Sequence, residues 1–242
     1  MAEAVAETER TAEKTVTAER KASEAPAGES IYGPCAEVLP LVLKELEGRI
    51  SSWNREAEQK TGHKLYEHLT TRVKSEESMR EKCRRRGLPE TPESALTELH
   101  DAVGLRIVTR FLDDIYRIRD LICAMEGCTV LEEKDYIRNV KPNGYRSYHM
   151  IISCELPYRD LQGNLPGHFA VEIQIRTIAM DSWASLEHEM SYKKTINNRA
   201  LITAELKRCA DELASCDVSM QTICDLIRAG EEKNHESTSC GG

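Results

Sequence analysis

No stretch of this chain approaches the run of about 18 apolar residues that a membrane-spanning helix needs. Its first residues alternate Ala, Glu, Thr and Lys without an apolar segment, so a secretory leader is not expected. Aromatic residues make up only 5% of the 242 residues while charged residues reach 31%, which points to a soluble, fairly helical protein. Positive charge is scarce overall: 33 Lys and Arg stand against 41 Asp and Glu, a formal net charge of -8. That balance argues against a general nucleic-acid coat, because such binding needs phosphate neutralisation spread over a surface. The nine cysteines are odd in number and include no CxxC pair. Free thiols in a reducing cytoplasm are therefore expected rather than zinc ligands or disulfides.

The common catalytic cradles are missing too. No GxxxxGK[ST] and no GxGxxG occurs, so phosphates would have to be held by side chains. There is no HExxH for zinc and no GxSxG elbow for a serine hydrolase.

What the chain does have is concentrated in residues 134–152, where Lys134, Arg138, Lys141 and Arg146 stand against the single acid Asp135. Pro142, Asn143 and Gly144 read as a turn, since proline fixes φ and the other two tolerate positive φ. The strand expected over 145–154 would put Tyr145, Ser147 and His149 on one face, with Arg146, Tyr148 and Met150 on the other. A ring, a hydroxyl and an imidazole beside a basic turn suit a nucleobase and its phosphates.

Hydrophobic periodicity gives the remaining elements. Val38, Leu39, Val42, Leu43, Leu46 and Ile50 predict a helix over about 35–60, closed by Thr61-Gly62. Strands are expected over 63–74, 103–111, 128–138 and 169–177, and a short helix over 92–99. Longer helices are expected from Ser75, which reads as an N-cap, to about 87, then over 113–125, 179–193 and 199–229. The fold class is therefore α+β: a single mixed sheet of about five strands with helices packed on one face.

Candidate phosphate-binding cations are Arg72, Lys74, Lys82, Arg84, Arg85, Arg86, Arg106, Lys134, Arg138, Lys141, Arg146 and Arg176. Arginine's planar fork suits phosphate oxygens and stacks on bases. Asp101 and Glu172 are carboxylates at a strand edge and on a strand's polar face. Among cations they suit Mg²⁺ bridging phosphates, and one could accept a proton from an attacking hydroxyl. The alternative is that they are salt-bridge partners of Arg106 and Arg176, and spacing alone favours that alternative.

Five separated motifs resemble the RelA/SpoT family of (p)ppGpp synthetases, in the family's order over about residues 35–230. They are Tyr66-Glu67-His68 with Arg72-Val73-Lys74; Ser78, Lys82 and the basic run to Arg86; Asp101 to Arg106; Lys134 to His149; and Val171 to Thr177 followed by Trp183 to His188. The resemblance implies a small alarmone synthetase with a nucleotidyltransferase-like fold. The expected organisation is a disordered tail over 1–30, the synthetase domain with its terminal helices over 31–232, and a frayed tail over 233–242. It implies transfer of the β,γ-pyrophosphoryl group of ATP to the 3′-OH of GTP or GDP, without hydrolase activity. By the same resemblance Arg72 and Arg106 would sandwich adenine, with Lys74, Ser78 and Lys82 on the ATP phosphates. Asp101 and Glu172 would hold Mg²⁺, and Glu172 would take the 3′-OH proton. Tyr145 would stack on guanine, and Lys134, Arg138, Lys141, Asn143, His149 and Gln174 would surround the acceptor. Val140 and Tyr148 depart from residues common in the family, at positions with no assigned chemistry.

Two other functions compete. A tRNA 3′-end pyrophosphokinase is opposed by the acidic balance, and a non-catalytic nucleotide sensor by the presence of both Asp101 and Glu172. A cytoplasmic homo-oligomer, a tetramer by resemblance, is expected, with no membrane and no stable nucleic-acid partner.

Overall fold

The computed structural model describes residues 30–192 and 198–239, so the expected tail over 1–30 lies outside the described residues except for Ser30. The strands are β1 (His68–Val73), β2 (Val103–Thr109), β3 (Cys128–Asp135), β4 (Tyr148–Leu156) and β5 (Gly167–Thr177). They form one sheet in the order β1-β2-β5-β4-β3. Among the described residues only the central β2–β5 pair is parallel, and the other pairs are antiparallel. The helices are α1 (Leu39–Thr61), α2 (Glu76–Arg86), α3 (Leu112–Cys123), α4 (Ile178–Tyr192) and α5 (Arg199–Ser239). The expected mixed sheet of about five strands is the sheet observed.

The two faces of the sheet differ because side chains alternate along a strand. Val103, Leu105 and Ile107 of β2, Met150 and Ile152 of β4, and Val171, Ile173 and Ile175 of β5 are at most 2% exposed. Leu39, Val42, Leu46 and Ile50 of α1 and Ile115, Ile118 and Ile122 of α3 join them in one core. Each such side chain contributes roughly 1.5–3 kcal/mol on burial, which fixes that face inward. The intervening residues, among them Gly104, Arg106, His149, Glu172 and Gln174, are carried by the opposite face. Helices α4 and α5 meet in a second, small cluster of Trp183, Ala184 and Ala210, against which Tyr145 packs.

Several boundaries differ from the sequence expectation, and at β1, β3 and β4 a side chain captures the backbone. β1 begins at His68 rather than 63. The Asn54 Oδ1 accepts from the backbone N–H groups of Leu65 and Tyr66 at 2.9 Å, and its Nδ2 donates to the Tyr66 carbonyl, which holds that segment out of the sheet. β3 stops at Asp135, whose Oδ1 accepts from the Ile137 and Arg138 amides at 2.9 Å and turns the chain away. β4 begins at Tyr148 rather than 145, because the Asn143 Oδ1 takes the Tyr145 amide. The expected short helix is a wide π turn over Ser94–Glu98. α5 runs on to Ser239 rather than ending near 229.

One expectation is overturned. Cys128 and Cys154 face each other across the β3–β4 ladder with Cα atoms 4.3 Å apart and are joined as a disulfide. Sequence separation hides this pair, because only the strand register brings the two together. Cys35, Cys83, Cys123, Cys209, Cys216 and Cys224 are free thiols, as expected. Among the described residues no helix is long and apolar enough to cross a membrane.

Candidate active site

The strand order builds the site. Parallel pairing sets Glu172 of β5 opposite Gly104 of β2, and β4 continues the same surface with His149 opposite Gln174. Asp101 lies just before β2. The Lys74 amide donates to the Ala102 carbonyl at 2.8 Å, which brings Lys74 beside Asp101. Ser75 then caps α2 by accepting from the Ser78 amide. The helix returns Lys82 to the same place two turns later.

Asp101 is the focus of the donor side. Lys74 Nζ and Lys82 Nζ both approach its Oδ2 at 2.6 Å. Burial alone would raise the Asp101 carboxyl, but the hydrogen bonds and charges of the two lysines outweigh it and hold the group below its ordinary value. The other oxygen, Oδ1, is buried and has no hydrogen-bond partner. Such an orphan is costly unless something binds it.

Glu172 occupies the centre of the same face. Its Oε2 accepts from Gln174 Nε2 at 3.2 Å, and its Oε1 lies 3.7 Å from His149 Nδ1. Burial pushes this carboxyl up and His149 pulls it down; with Gln174 assisting and the Asp101 charge opposing, the net shift is downward. His149 Nε2 is 2.8 Å from the Tyr145 hydroxyl.

A cleft of about 590 Å³ joins the two sides, with Lys82, Arg86 and Asp101 towards β2 and Lys134, Lys141 and His149 towards β3 and β4, and Glu172 between them. Lys141 Nζ stands 4.2 Å from the Tyr136 ring centroid and 4.7 Å from that of Tyr145, within cation–π range. Two carboxylates facing one cation-lined cleft suit a divalent ion held partly by phosphates. Mg²⁺ takes hard oxygen ligands and keeps several waters, and the orphaned Asp101 Oδ1 is an unused ligand of that kind. Among the described residues no group of three or more His, Cys, Asp or Glu could hold a metal alone.

The salt-bridge alternative for the carboxylates is not what forms. Arg106 and Arg176 both pair with Asp181 instead, at 3.4 and 3.0 Å. Arg72 lies across Gly104, where an added Cβ would meet its side chain at 3.7 Å.

Some expected residues stand elsewhere. Arg176 is 5% exposed and donates to the Tyr145 hydroxyl, Gln174 Oε1, Ser147 Oγ and Asp181, so it is no phosphate ligand. Arg146 donates to the Gly144 and Ala210 carbonyls and to Asp211 on α5, away from the cleft. Ser147 is fully buried and donates to the Ile175 carbonyl. Arg138 lies over the Tyr116 ring at 5.1 Å and beside Asp135. The Ser78 hydroxyl accepts from Ser75 Oγ on the exposed first turn of α2. Asn143 closes the turn before Tyr145.

Sequence reasoning missed three residues. Tyr136 lines the cleft beside His149, with ring centroids 5.3 Å apart; its signal was the alternation with Lys134. Tyr32 donates to the Lys74 carbonyl at 2.6 Å, and Asp181 joins two arginines; neither carried a local signal.

A family model described as the region found in RelA / SpoT proteins matches residues 71–197. The GTP pyrophosphokinase YwaC of Bacillus subtilis is 40% identical over 186 residues, 77% of this chain and 87% of the relative. The GTP pyrophosphokinase YjbM of the same organism is 34% identical over 181 residues, 75% of this chain and 82% of the relative. The crystal structure of small alarmone synthetase 1 from Bacillus subtilis bound to its product pppGpp superposes with a TM-score of 0.69 at 33% identity, covering 78% of this chain and 94% of that one. The same synthetase bound to AMPCPP gives 0.65 at 30% identity over 79% and 94%.

Proposed function

The chain belongs to the RelA/SpoT family, and from that membership and the cleft we propose that it is a small alarmone synthetase, a GTP pyrophosphokinase. It moves the β,γ-pyrophosphoryl group of ATP to the ribose 3′-OH of GTP or GDP. The observation that carries this reading is the convergence of Asp101 and Glu172 on one cation-lined cleft.

Two polyanions must meet in one place, so a chain of net negative charge needs its lysines gathered there. Lys74 and Lys82 serve the ATP phosphates, with Arg72 and Arg106 flanking adenine. Lys134 and Lys141 serve the acceptor phosphates, and Tyr145 offers its ring to guanine, with His149 and Gln174 beside it, while Asn143 shapes the turn that carries Tyr145. Ser78 and Arg138 reach a nucleotide only by leaving Ser75 and Tyr116. Asp101 Oδ1 and Glu172 are the residues that would hold Mg²⁺, which supplies charge neutralisation on the phosphate oxygens.

Glu172 accepts the 3′-OH proton as the ribose oxygen bonds to the β-phosphorus of ATP. The bond from that phosphorus to the α-phosphate oxygen breaks, and AMP leaves. No covalent enzyme intermediate is needed, because such transfers depend on positioning and charge stabilisation. Gln174 and His149 fix the orientation of the Glu172 carboxylate.

Large apolar side chains on α5 support a homo-oligomer, a tetramer by family. Leu226 is 70% exposed and Ile223 58%, which a lone chain in water would not favour. ATP and GTP as substrates support a cytoplasmic location. The decisive experiment incubates purified protein with labelled ATP, GTP or GDP and Mg²⁺ and separates the nucleotides. Guanosine carrying a 3′-pyrophosphate is expected, and its absence rejects the reading.

A further inference from the structure

We propose that Asp181 is a positioning residue that couples the two nucleotide pockets through an Arg106–Asp181–Arg176 bridge. This rests on the pyrophosphokinase reading and deepens it.

Asp181 stands in the first turn of α4, off the sheet, and one oxygen serves two arginines. Its Oδ1 accepts from Arg176 at 3.0 Å and lies 3.4 Å from an Arg106 nitrogen. The two arginines belong to different halves of the site. Arg106, on β2, faces the ATP side, and its Nε is buried without a partner. Its neighbours include the like charges of Arg72 and Arg176, so Asp181 is the counter-charge that lets it stay there.

Arg176, on β5, belongs to the acceptor side and is committed to protein. It donates to the Tyr145 hydroxyl at 2.7 Å and to Gln174 Oε1 at 2.9 Å. Gln174 in turn donates to Glu172 at 3.2 Å, and the Tyr145 hydroxyl lies 2.8 Å from His149. The arginine therefore orients the guanine-facing ring and, through one amide, the proton acceptor.

A base stacked on Arg106 restrains that guanidinium and fixes where Asp181 places its shared oxygen. Arg176 is then held in the position that sets Tyr145 and Gln174 before the acceptor arrives. Linkage makes the effect reciprocal: an acceptor seated on Tyr145 steadies Arg106 by the same factor. A carboxylate acting only on the α4 terminus would change helix stability and leave nucleotide affinities independent.

The test is calorimetric titration of GDP into the full chain, with and without saturating α,β-methylene ATP, in Mg²⁺. The wild type is expected to bind GDP roughly five-fold or more tightly with the analogue present. Asp181→Asn, which keeps the shape and removes the charge, is expected to abolish that difference. Asp181→Glu is expected to restore part of it. Where the Asn variant does not melt cooperatively, Asp181→Ala, a strong helix former, takes its place with the same expected outcome. Wild-type protein that binds both nucleotides without coupling, or a charge-free variant that keeps the coupling, overturns the bridge alone. Protein that binds neither nucleotide overturns the pyrophosphokinase reading and the bridge with it.

Discussion

Gly144 lies against Ala210 with no room for a side chain between them: a Cβ on Gly144 would stand 2.7 Å from the Ala210 Cβ, and the Gly144 φ is +92°. The contact fastens the loop that carries Lys141 and Tyr145 to helix α5. Arg146 adds hydrogen bonds of 3.1 Å to both the Gly144 and Ala210 carbonyls. Gly144→Ala must therefore move the loop or the helix and adopt a strained φ. A loss of roughly 1–3 kcal/mol is expected in thermal or urea unfolding. The KM for GTP or GDP should rise while that for ATP stays near the wild-type value. Equal increases in both would show that the loop does not belong to the acceptor side alone.

Glu172→Gln separates chemistry from binding. The amide keeps the volume and a hydrogen-bonding oxygen beside Gln174, but it cannot accept the 3′-OH proton. A fall in kcat of about 10²–10⁴-fold is expected, the usual worth of a general base. Melting temperature should change little, and so should ATP affinity measured without Mg²⁺. A variant that keeps half its turnover would remove Glu172 from the proton-transfer step.

Much of this site could be read from residue order, and the reasons it could are local. Alternation in Val171 to Thr177 puts Glu172 and Gln174 on one face and Val171, Ile173 and Ile175 on the other, as the structure has them. What could not be read depends on contacts made far along the chain. Arg176 looked like a phosphate ligand because it shares the polar face of Glu172. Its burial comes from Tyr145, 31 positions before it, and from helix α4 folding back over it. Arg146 misleads in the same way, since its partner Asp211 lies 65 residues away. The Cys128–Cys154 pair was hidden by register, which no count of cysteines supplies.

The two lysines on Asp101 predict a dependence on acid. The folded-state Asp101 carboxyl titrates below its ordinary value of 3.8, so the unfolded chain takes up this proton first as pH falls. The stability supplied by ionised Asp101 is therefore complete above that value and is lost as pH drops through the folded one. Asp101→Asn leaves Lys74 and Lys82 facing each other without a counter-charge. A loss of about 1.5–3 kcal/mol at neutral pH is expected, in the range for hydrogen bonds to charged groups. Urea midpoints followed from neutral pH into acid should show the gap between wild type and variant closing below the ordinary carboxylate value. A gap that stays constant would mean that Asp101 is not ionised against the lysines. The same variant should need much more Mg²⁺ for half-maximal turnover.

Helix α5 presents Val218, Ile223, Leu226 and Ile227 to solvent, each 57% exposed or more. The same helix buries Asp217 and Cys224 at 4% and 9%, and Asp217 accepts from Thr177 Oγ1 at 2.7 Å. One side is thus already used for packing on β5, and the apolar side is left for another chain. Each of those side chains would contribute roughly 1.5–3 kcal/mol if fully buried, enough in combination to offset the loss of freedom on association. Ile223→Glu with Leu226→Glu should leave helicity unchanged, because neither touches the buried side. The mass by light scattering should fall from that of an oligomer to that of one chain. Wild-type protein that is monomeric at micromolar concentration would reject the assembly, and an unchanged oligomer in the double variant would move its interface off this face. Because α5 also holds Gly144 and Arg146, subunit loss should raise the KM of GTP or GDP more than that of ATP.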